Sequence, residues 1–465
     1  MPEQAKGTET LRLAEEFPPV PTSAWEAAIA KDLKGADYGK KLVWRTEEGL
    51  AVRPYYRSEH VAGLPRQRVT GRWEIAQDAR PGVGAVRADL LHEAGAHAVQ
   101  ELGYALSAGV ERLSGLAEKQ PVEVAAPQVE FVFAVGPSYF VEIAKLRAAR
   151  LLWAQVVSAF GAQGDEALRM RLDVRTPRRN KSVFDRYTNL LRVTTEALSA
   201  VIGGCDRLTV EPFGFDEHLA LNLQRILEEE THLDAVADPA GGSYYLEALT
   251  DAVARAAWKL FQEVEQAGGY AKVLASGAIE RALAETRAAR EKALSGRRRA
   301  LVGVNNFPNT LEQDPEIEPP PAEKGALPQF RLAEPFERIR LRTRAHARAT
   351  GRTPKVLLLK RGDPKMKSAR ATFCLNFFGC AGFQVVEGED LDPEADLLVL
   401  CSSDPEYLAF AGDVCPRAKA PVLVAGNPKE QLEALRTAGV QGFVHIQSDA
   451  VETLTEWQDR LGLRR

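Results

Sequence analysis

Between positions 173 and 181 the chain sets out Asp173, Arg175, Thr176, Arg178, Arg179 and Lys181, a carboxylate and a hydroxyl among four cations. Arginine presents planar donors that match a phosphate or a carboxylate, so this stretch could receive a phosphate or an acyl-CoA. The competing reading is a solvated loop or a subunit contact, the usual fate of a basic run. Two other stretches invite chemistry. His218 and His232 flank one predicted helix, but at about 1.5 Å rise per residue they stand roughly 20 Å apart, too far to share a metal. Asp238-Pro239-Ala240-Gly241-Gly242-Ser243 could cradle a phosphate at a helix N-terminus or, more simply, make a tight turn.

The elements that must position the first group are strand, exposed turn, helix, turn and strand. Leu168 to Val174 alternates apolar and polar residues, as a strand with one buried face does. Pro177 and the polar run Arg178, Arg179, Asn180, Lys181 break it. A helix follows with Phe184, Leu191, Thr195, Leu198 and Ile202 as its apolar stripe and Ser182 or Asp185 as N-cap. Gly203-Gly204 stops it before a strand from Arg207 to Glu211. Such a unit implies a right-handed crossover between parallel strands, with chemistry at the carboxyl ends, where Asp173, Arg175 and Thr176 would stand together.

With 465 residues and 45% hydrophobic content, the chain has room for two or three domains with real cores. A net charge of -4 gives no general electrostatic reason to bind nucleic acid or a membrane. The five cysteines form no CxxC pair, which speaks against a disulfide framework or a zinc site and fits a reducing, cytoplasmic setting. No apolar run approaches a membrane span, and MPEQAKGTET lacks a signal-peptide core.

Four regions follow in order. Residues 1–70 read as an arm: a short helix with Trp25, Ile29 and Leu33, then two short strands around Glu48-Gly49, with too little apolar area to fold alone. Residues 71–307 alternate strands and helices in the manner of a (β/α) barrel. A helix from Ala88 to Leu116 precedes the strand VEFVFAV. In the next helix Phe140, Ile143, Leu146, Trp153, Val157 and Phe160 make the buried stripe, with Glu142, Lys145 and Arg150 outside it. A further helix runs from Asp216 to His232. RRALVGVNNF is read as a closing strand and Val122 to Val124 as a short one, giving about five or six strands where eight are usual. Residues 308–354 hold a proline-rich linker and a basic helix, and 355–465 a small doubly wound, flavodoxin-like sheet.

Three stretches carry a resemblance: YFVEIAKLRAARLLW, RRNKSVFDRYTNLLRVTTEALSAVIGGCD and DPAGGSYYLE with the helix behind it. Through them the chain resembles the methylmalonyl-CoA mutase family, and most of all the small, non-catalytic subunit of its two-chain bacterial form. The resemblance implies a shortened TIM-like barrel followed by a degenerate cobalamin-binding domain. It further implies a homologous large catalytic subunit as partner in a heterodimer. That partner would interconvert methylmalonyl-CoA and succinyl-CoA with adenosylcobalamin, and no cofactor is expected on this chain.

Catalytic members of the family place Asp-x-His-x-x-Gly after the first strand of the cobalamin domain, so that the histidine ligates cobalt. Here Asp363 is kept, but Lys365 and Ser368 stand at the histidine and glycine positions, and a protonated lysine has no lone pair for cobalt. Where catalytic members carry His-x-Gln-Thr in the barrel, this chain has Asp173, Arg175 and Thr176, and a carboxylate beside an anionic substrate is electrostatically wrong. No catalytic, cofactor-binding or metal-ligating residue is therefore assigned, and direct acyl-CoA binding is doubtful. The alternative is a free-standing acyl-CoA-binding or scaffold protein that uses the basic Arg178, Arg179 and Lys181 loop.

Overall fold

The computed structural model describes residues 17–65, 71–77, 81–312 and 327–463. They form an α/β protein whose two larger sheets are wholly parallel. Contacts divide the chain into two units, residues 1–57 and 58–465.

In the first unit, helix Thr22–Asp32 precedes an antiparallel pair, β1 (Trp44–Arg45) and β2 (Ala51–Val52). None of that helix's residues is buried. Trp25 packs on Tyr55 with ring centroids 5.3 Å apart, and Arg57 stacks over the same indole.

The second unit begins with β3 (Glu74–Ala76) and β4 (Val86–Arg87) and continues through β5 (Glu130–Ala134), β6 (Arg171–Arg175) and β7 (Arg207–Thr209). Their order in the sheet is β3-β7-β6-β5-β4. Strand alternation gives this sheet two unlike faces. Ile75, Leu208, Leu172, Val174, Phe131 and Phe133 share one face by register. There Phe131 meets Trp153 of helix Tyr139–Ala159 edge to face at 4.8 Å. Glu74, Arg207, Asp173, Val132 and Arg87 share the other. Helix Tyr244–Gln266 packs in turn on helices Ala98–Ala117 and Tyr139–Ala159.

Helix Glu334–Thr350 leads to the second sheet: β8 (Lys355–Lys360), β9 (Gln384–Gly388), β10 (Leu397–Cys401), β11 (Val422–Ala425) and β12 (Gly442–Val444). Their order is β12-β11-β10-β8-β9. Alternate residues of these strands enter two separate apolar cores, one on each face. One of those cores also takes in Leu294, Leu301, Val304, Phe330 and Phe336, so the start of the sheet is welded to the segments before it.

Several expected elements differ. RRALVGVNNF is a turn rather than a closing strand, because the buried Asn305 side chain satisfies Leu301 N–H and the carbonyls of Leu294 and Arg299 in place of a ladder. Val122–Ala125 is a helical turn behind Pro121, not a strand. The helix expected from Ala88 to Leu116 is two, Ala88–Glu93 and Ala98–Ala117. Gly95 breaks it with a φ of 117°, and His97 restarts it through a capping box with Gln100. Helix Arg186–Gly203 buries Asn189, Val193, Glu196, Ala197 and Ala200, while Leu191 of the expected stripe is exposed and Phe184 precedes the helix. The helix from Asp216 gives way after Arg225 to a wider turn, Ile226–Glu230.

Candidate functional site

The loop after β6 does not lie in solvent. Arg179, Asn180, Lys181 and Ser182 are all buried, against the expectation of an exposed basic turn. Burying cations is costly unless carboxylates meet them, and they do. Lys181 Nζ donates to both oxygens of Glu196 (2.9 and 2.7 Å) and to Asn180 Oδ1 at 2.9 Å. Burial pulls the Lys181 amine below its ordinary range against the attraction of Glu196, and pushes the Glu196 carboxyl up. Arg179 donates to the carbonyls of His92 (2.6 Å) and Ala96 (2.8 Å), capping the broken helix that Gly95 ends. Arg178 gives its backbone N–H to Glu93 and its Nε to Glu211. Arg175 pairs with Asp89 at 3.0 Å and with Glu211.

The same loop seats the segment that leads to the second sheet. Leu332 N–H donates to the carbonyl of Arg179 (2.8 Å), Arg331 reaches the carbonyl of Lys181, and Val183 N–H donates to Glu337 (2.9 Å). Arg331 and Glu337 close the joint with a salt bridge of 2.7 Å. Arg178, Arg179 and Lys181 are thus spent on the chain's own carboxylates and carbonyls.

A second buried cluster lies at the carboxyl end of β5, in residues that helical periodicity places outside the core. Lys145 Nζ donates to the carbonyl of Ala134 (2.5 Å) and to Glu101 (2.7 Å), and pairs with Glu142 at 2.6 Å. Burial lowers the Lys145 amine, but Glu101 and Glu142 outweigh it and hold the group above its usual value. His92 Nδ1 lies 2.9 Å from the same Glu101, and burial keeps the imidazole far below its usual value, hence neutral. Arg150, also expected outside, donates to the carbonyls of Met170 (2.7 Å) and Gly204. Phe140 and Phe160, expected inside, are exposed at 48% and 36%. The turn of helix Tyr139–Ala159 that faces the sheet end therefore carries charge where a purely apolar stripe would put Phe140.

Asp173 does not join Arg175 and Thr176. It pairs with Arg207 at 3.2 Å in a cavity of about 430 Å³ that Glu74, Glu130, Arg171 and Asp206 also line. Burial, opposed by Arg207 and reinforced by Glu130, raises its pKa to about 6. Thr176 instead accepts Glu211 N–H at 2.9 Å. At Asp238–Ser243 the helix N-terminus is already served: Ser243 Oγ accepts Leu246 N–H, Glu247 accepts Gly242 N–H, and Arg147 bridges Asp238 and Glu247. His218 bonds to Asn222. Among the described residues no group of three or more His, Cys, Asp or Glu could hold a metal ion. No described helix is long and apolar enough to cross a membrane.

In the second sheet, Asp363 caps helix Pro364–Gly379 by accepting Met366 N–H at 2.8 Å, and Lys365 and Ser368 are exposed on its first turns. Across the carboxyl ends of β10 and β11, Tyr407 Oη donates to Ala425 O (2.6 Å) and accepts from Ser402 N–H. A Cβ on Gly426 would stand 3.3 Å from Tyr407, 3.4 Å from Asp404 and 3.5 Å from Arg370, so this glycine edge faces the chain's own side chains.

The family model described as methylmalonyl-CoA mutase matches residues 83–348. A methylmalonyl-CoA mutase small subunit of Porphyromonas gingivalis is 32% identical over 98% of this chain and 100% of its own length. That alignment runs over 628 positions, more than the 465 residues here, so the relative carries insertions that this chain lacks. The small subunit of Streptomyces virginiae is 40% identical over 82% of this chain, a match that spans 65% of the relative. The methylmalonyl-CoA mutase of Escherichia coli is 34% identical over 49% of this chain and 33% of its own length. The chain belongs to the methylmalonyl-CoA mutase family, where it matches the small subunits over most of its length.

Proposed function

We propose that this chain is the small, non-catalytic subunit of an adenosylcobalamin-dependent methylmalonyl-CoA mutase, working in the cytoplasm as a heterodimer with a homologous large chain. The large chain binds the cobalamin and interconverts methylmalonyl-CoA and succinyl-CoA, a step of propionate metabolism. The observation that carries this reading is the closed carboxyl end of the first sheet. Chemistry in a βα unit sits there, and here Asp89, Glu211 and Glu196 pair with Arg175, Arg178 and Lys181, while Arg179 is spent on the carbonyls of His92 and Ala96. The free-standing acyl-CoA binder loses its motivating residues for the same reason.

Within this reading the first sheet is a shortened TIM-like barrel in residues 71–307. Residues 308–354 link it to a flavodoxin-like, degenerate cobalamin domain in 355–465, whose strand order counted from its own first strand is 2-1-3-4-5. Cobalamin does not fit the residues present. Lys365 offers cobalt no lone pair, and Tyr407, Asp404 and Arg370 stand against the glycine edge that a nucleotide tail would need. No residue of this chain is given a catalytic, cofactor or metal role.

A spectral titration of the purified chain with adenosylcobalamin, with turnover assayed in the same tubes, tests the proposal. No spectral change and no turnover alone, with turnover on adding the large chain, is the expected result. Binding with turnover by the chain alone would overturn it. Residues 1–70 serve as the partner-wrapping arm, consistent with a helix that buries none of its own residues. Replacing Trp25 and Ile29 together by alanine should weaken copurification with the large chain, and undiminished copurification would remove the arm from the interface.

A further inference from the structure

Between β8 and β10 the order of the second sheet reverses, and the crevice outside the carboxyl ends of two such strands is where a parallel sheet receives a ligand. Here that crevice holds the carboxylate of Glu406. Its Oε2 lies 2.7 Å from Ser402 Oγ, 2.5 Å from Ser403 Oγ, 3.2 Å from Ser403 N and 3.3 Å from Asp363 N. A capping box between Ser403 and Glu406 accounts for the bond to Ser403 N–H. It does not account for the Asp363 N–H, which comes from the loop after β8, nor for Ser402, whose hydroxyl is shared with the carbonyl of Arg361 at 2.8 Å. Nor does it account for Gly362. At a φ of 81° this residue approaches so closely that a Cβ would collide with the Glu406 carboxylate. Ser403 and then Ser402 hold the Glu406 carboxyl down at about 2, so it is an anion at any working pH.

Donors from the ends of two adjacent strands converge on one oxygen, as they do around a bound oxyanion. We propose that this switch-point crevice is a phosphate-type oxyanion site which the chain fills with its own Glu406 carboxylate. The internal anion does two things at once. It gives the N–H groups of Ser403 and Asp363 and the Ser403 hydroxyl an acceptor within the chain in place of water, and it repels any phosphate from outside. Tyr407, wholly buried behind it, closes the floor. The domain is therefore complete without a cofactor. Restoring a histidine at position 365 would not make room for one.

The test uses the full chain, as wild type and as Glu406→Ala. Thermal unfolding is followed in chloride and in inorganic phosphate at matched ionic strength, with calorimetric titration of inorganic phosphate and, separately, of a nucleoside 5′-monophosphate. The expected result is no saturable binding to the wild type and millimolar, single-site binding of inorganic phosphate to Glu406→Ala, with a phosphate-specific rise in its Tm. Adding Ser402→Ala and Ser403→Ala should abolish that gain. Binding of the nucleotide as well would show that the emptied crevice admits a phosphate monoester, and binding of the free ion alone that it is closed to one. A folded Glu406→Ala chain that binds neither anion, or a wild type that binds phosphate equally well, would overturn the proposal. Should Glu406→Ala not fold in chloride, recovery in phosphate supports the cradle and failure in both overturns it. No partner and no cobalamin enter the assay, so its outcome is independent of the subunit reading.

Discussion

Among the described residues the two parallel sheets have five strands each, yet they are built on opposite plans. In the second, β8 and β10 are apolar on both faces, and each face is closed by its own core. In the first, one face is apolar and the other carries Glu74, Arg207, Asp173 and Arg87. A doubly covered sheet is stabilised by hydrophobic burial. A sheet whose second face is charged depends on pairing those charges one by one. The difference teaches that the first sheet sets paired charges beside a one-sided apolar core, whereas the second rests on apolar burial over both faces.

Breaking one charge in the first sheet's clusters should show this contrast most strongly. Lys145→Ala leaves Glu101 and Glu142 buried without their cation and should cost about 3–5 kcal/mol, read by denaturant unfolding. A loss under about 1 kcal/mol would mean that the cluster is hydrated and the contrast false. In the second sheet Leu358→Ala should cost about 2–5 kcal/mol through the cavity it leaves in a fully buried strand. The pH dependence separates the sheets further. Asp173 has a folded pKa of about 6, above the ordinary carboxylate value of 3.8, so the folded state holds this proton more tightly than the unfolded one. Its favourable contribution is full below pH 3.8 and lost as pH rises through 6. Asp173→Asn should therefore stabilise the chain above pH 6 by roughly 1–3 kcal/mol and change little below pH 4. A stability difference independent of pH would remove the burial of the Asp173 carboxyl, reinforced by Glu130, as its cause. Smallest of all, Leu191→Ser on an exposed helix face should shift stability by no more than about 0.5 kcal/mol. A larger loss would return Leu191 to the core stripe that helical spacing assigns it.

How much of this is legible in the sequence follows from the same contrast. KVLLLK and DLLVLCSS announce buried strands because both faces are apolar, and no other element competes for them. The strand–helix–strand frame around position 173 is legible from period-2 alternation and the paired glycines at 203 and 204. The charges are not. Lys145 looks like a solvent-facing residue until Glu101, 44 residues away, is brought under it. Arg147 meets Asp238 across 91 residues in the same way. Periodicity reads one element at a time, so it assigns a lone cation to water and cannot see a partner from another helix. The basic loop fails for that reason also: Arg178, Arg179 and Lys181 read as a ligand site or a solvated turn because Glu93, Glu196 and Glu211 belong to other elements. Glu406 is hidden twice over, since its place depends on a neighbouring strand's loop and on a left-handed glycine.

The joint at the basic loop also sets an order of events on the ribosome. Val183 waits for Glu337, 154 residues later, and the Lys181 carbonyl waits for Arg331, 150 residues later. A nascent chain that has exposed the first sheet cannot yet finish its carboxyl end, whose backbone groups remain open until the following helix emerges. Synthesis at about 5–20 residues per second holds that interval open for roughly 8–30 seconds, the period in which chaperones have the most to bind. The loop after β6 is thus completed by the segment that leads into the second sheet.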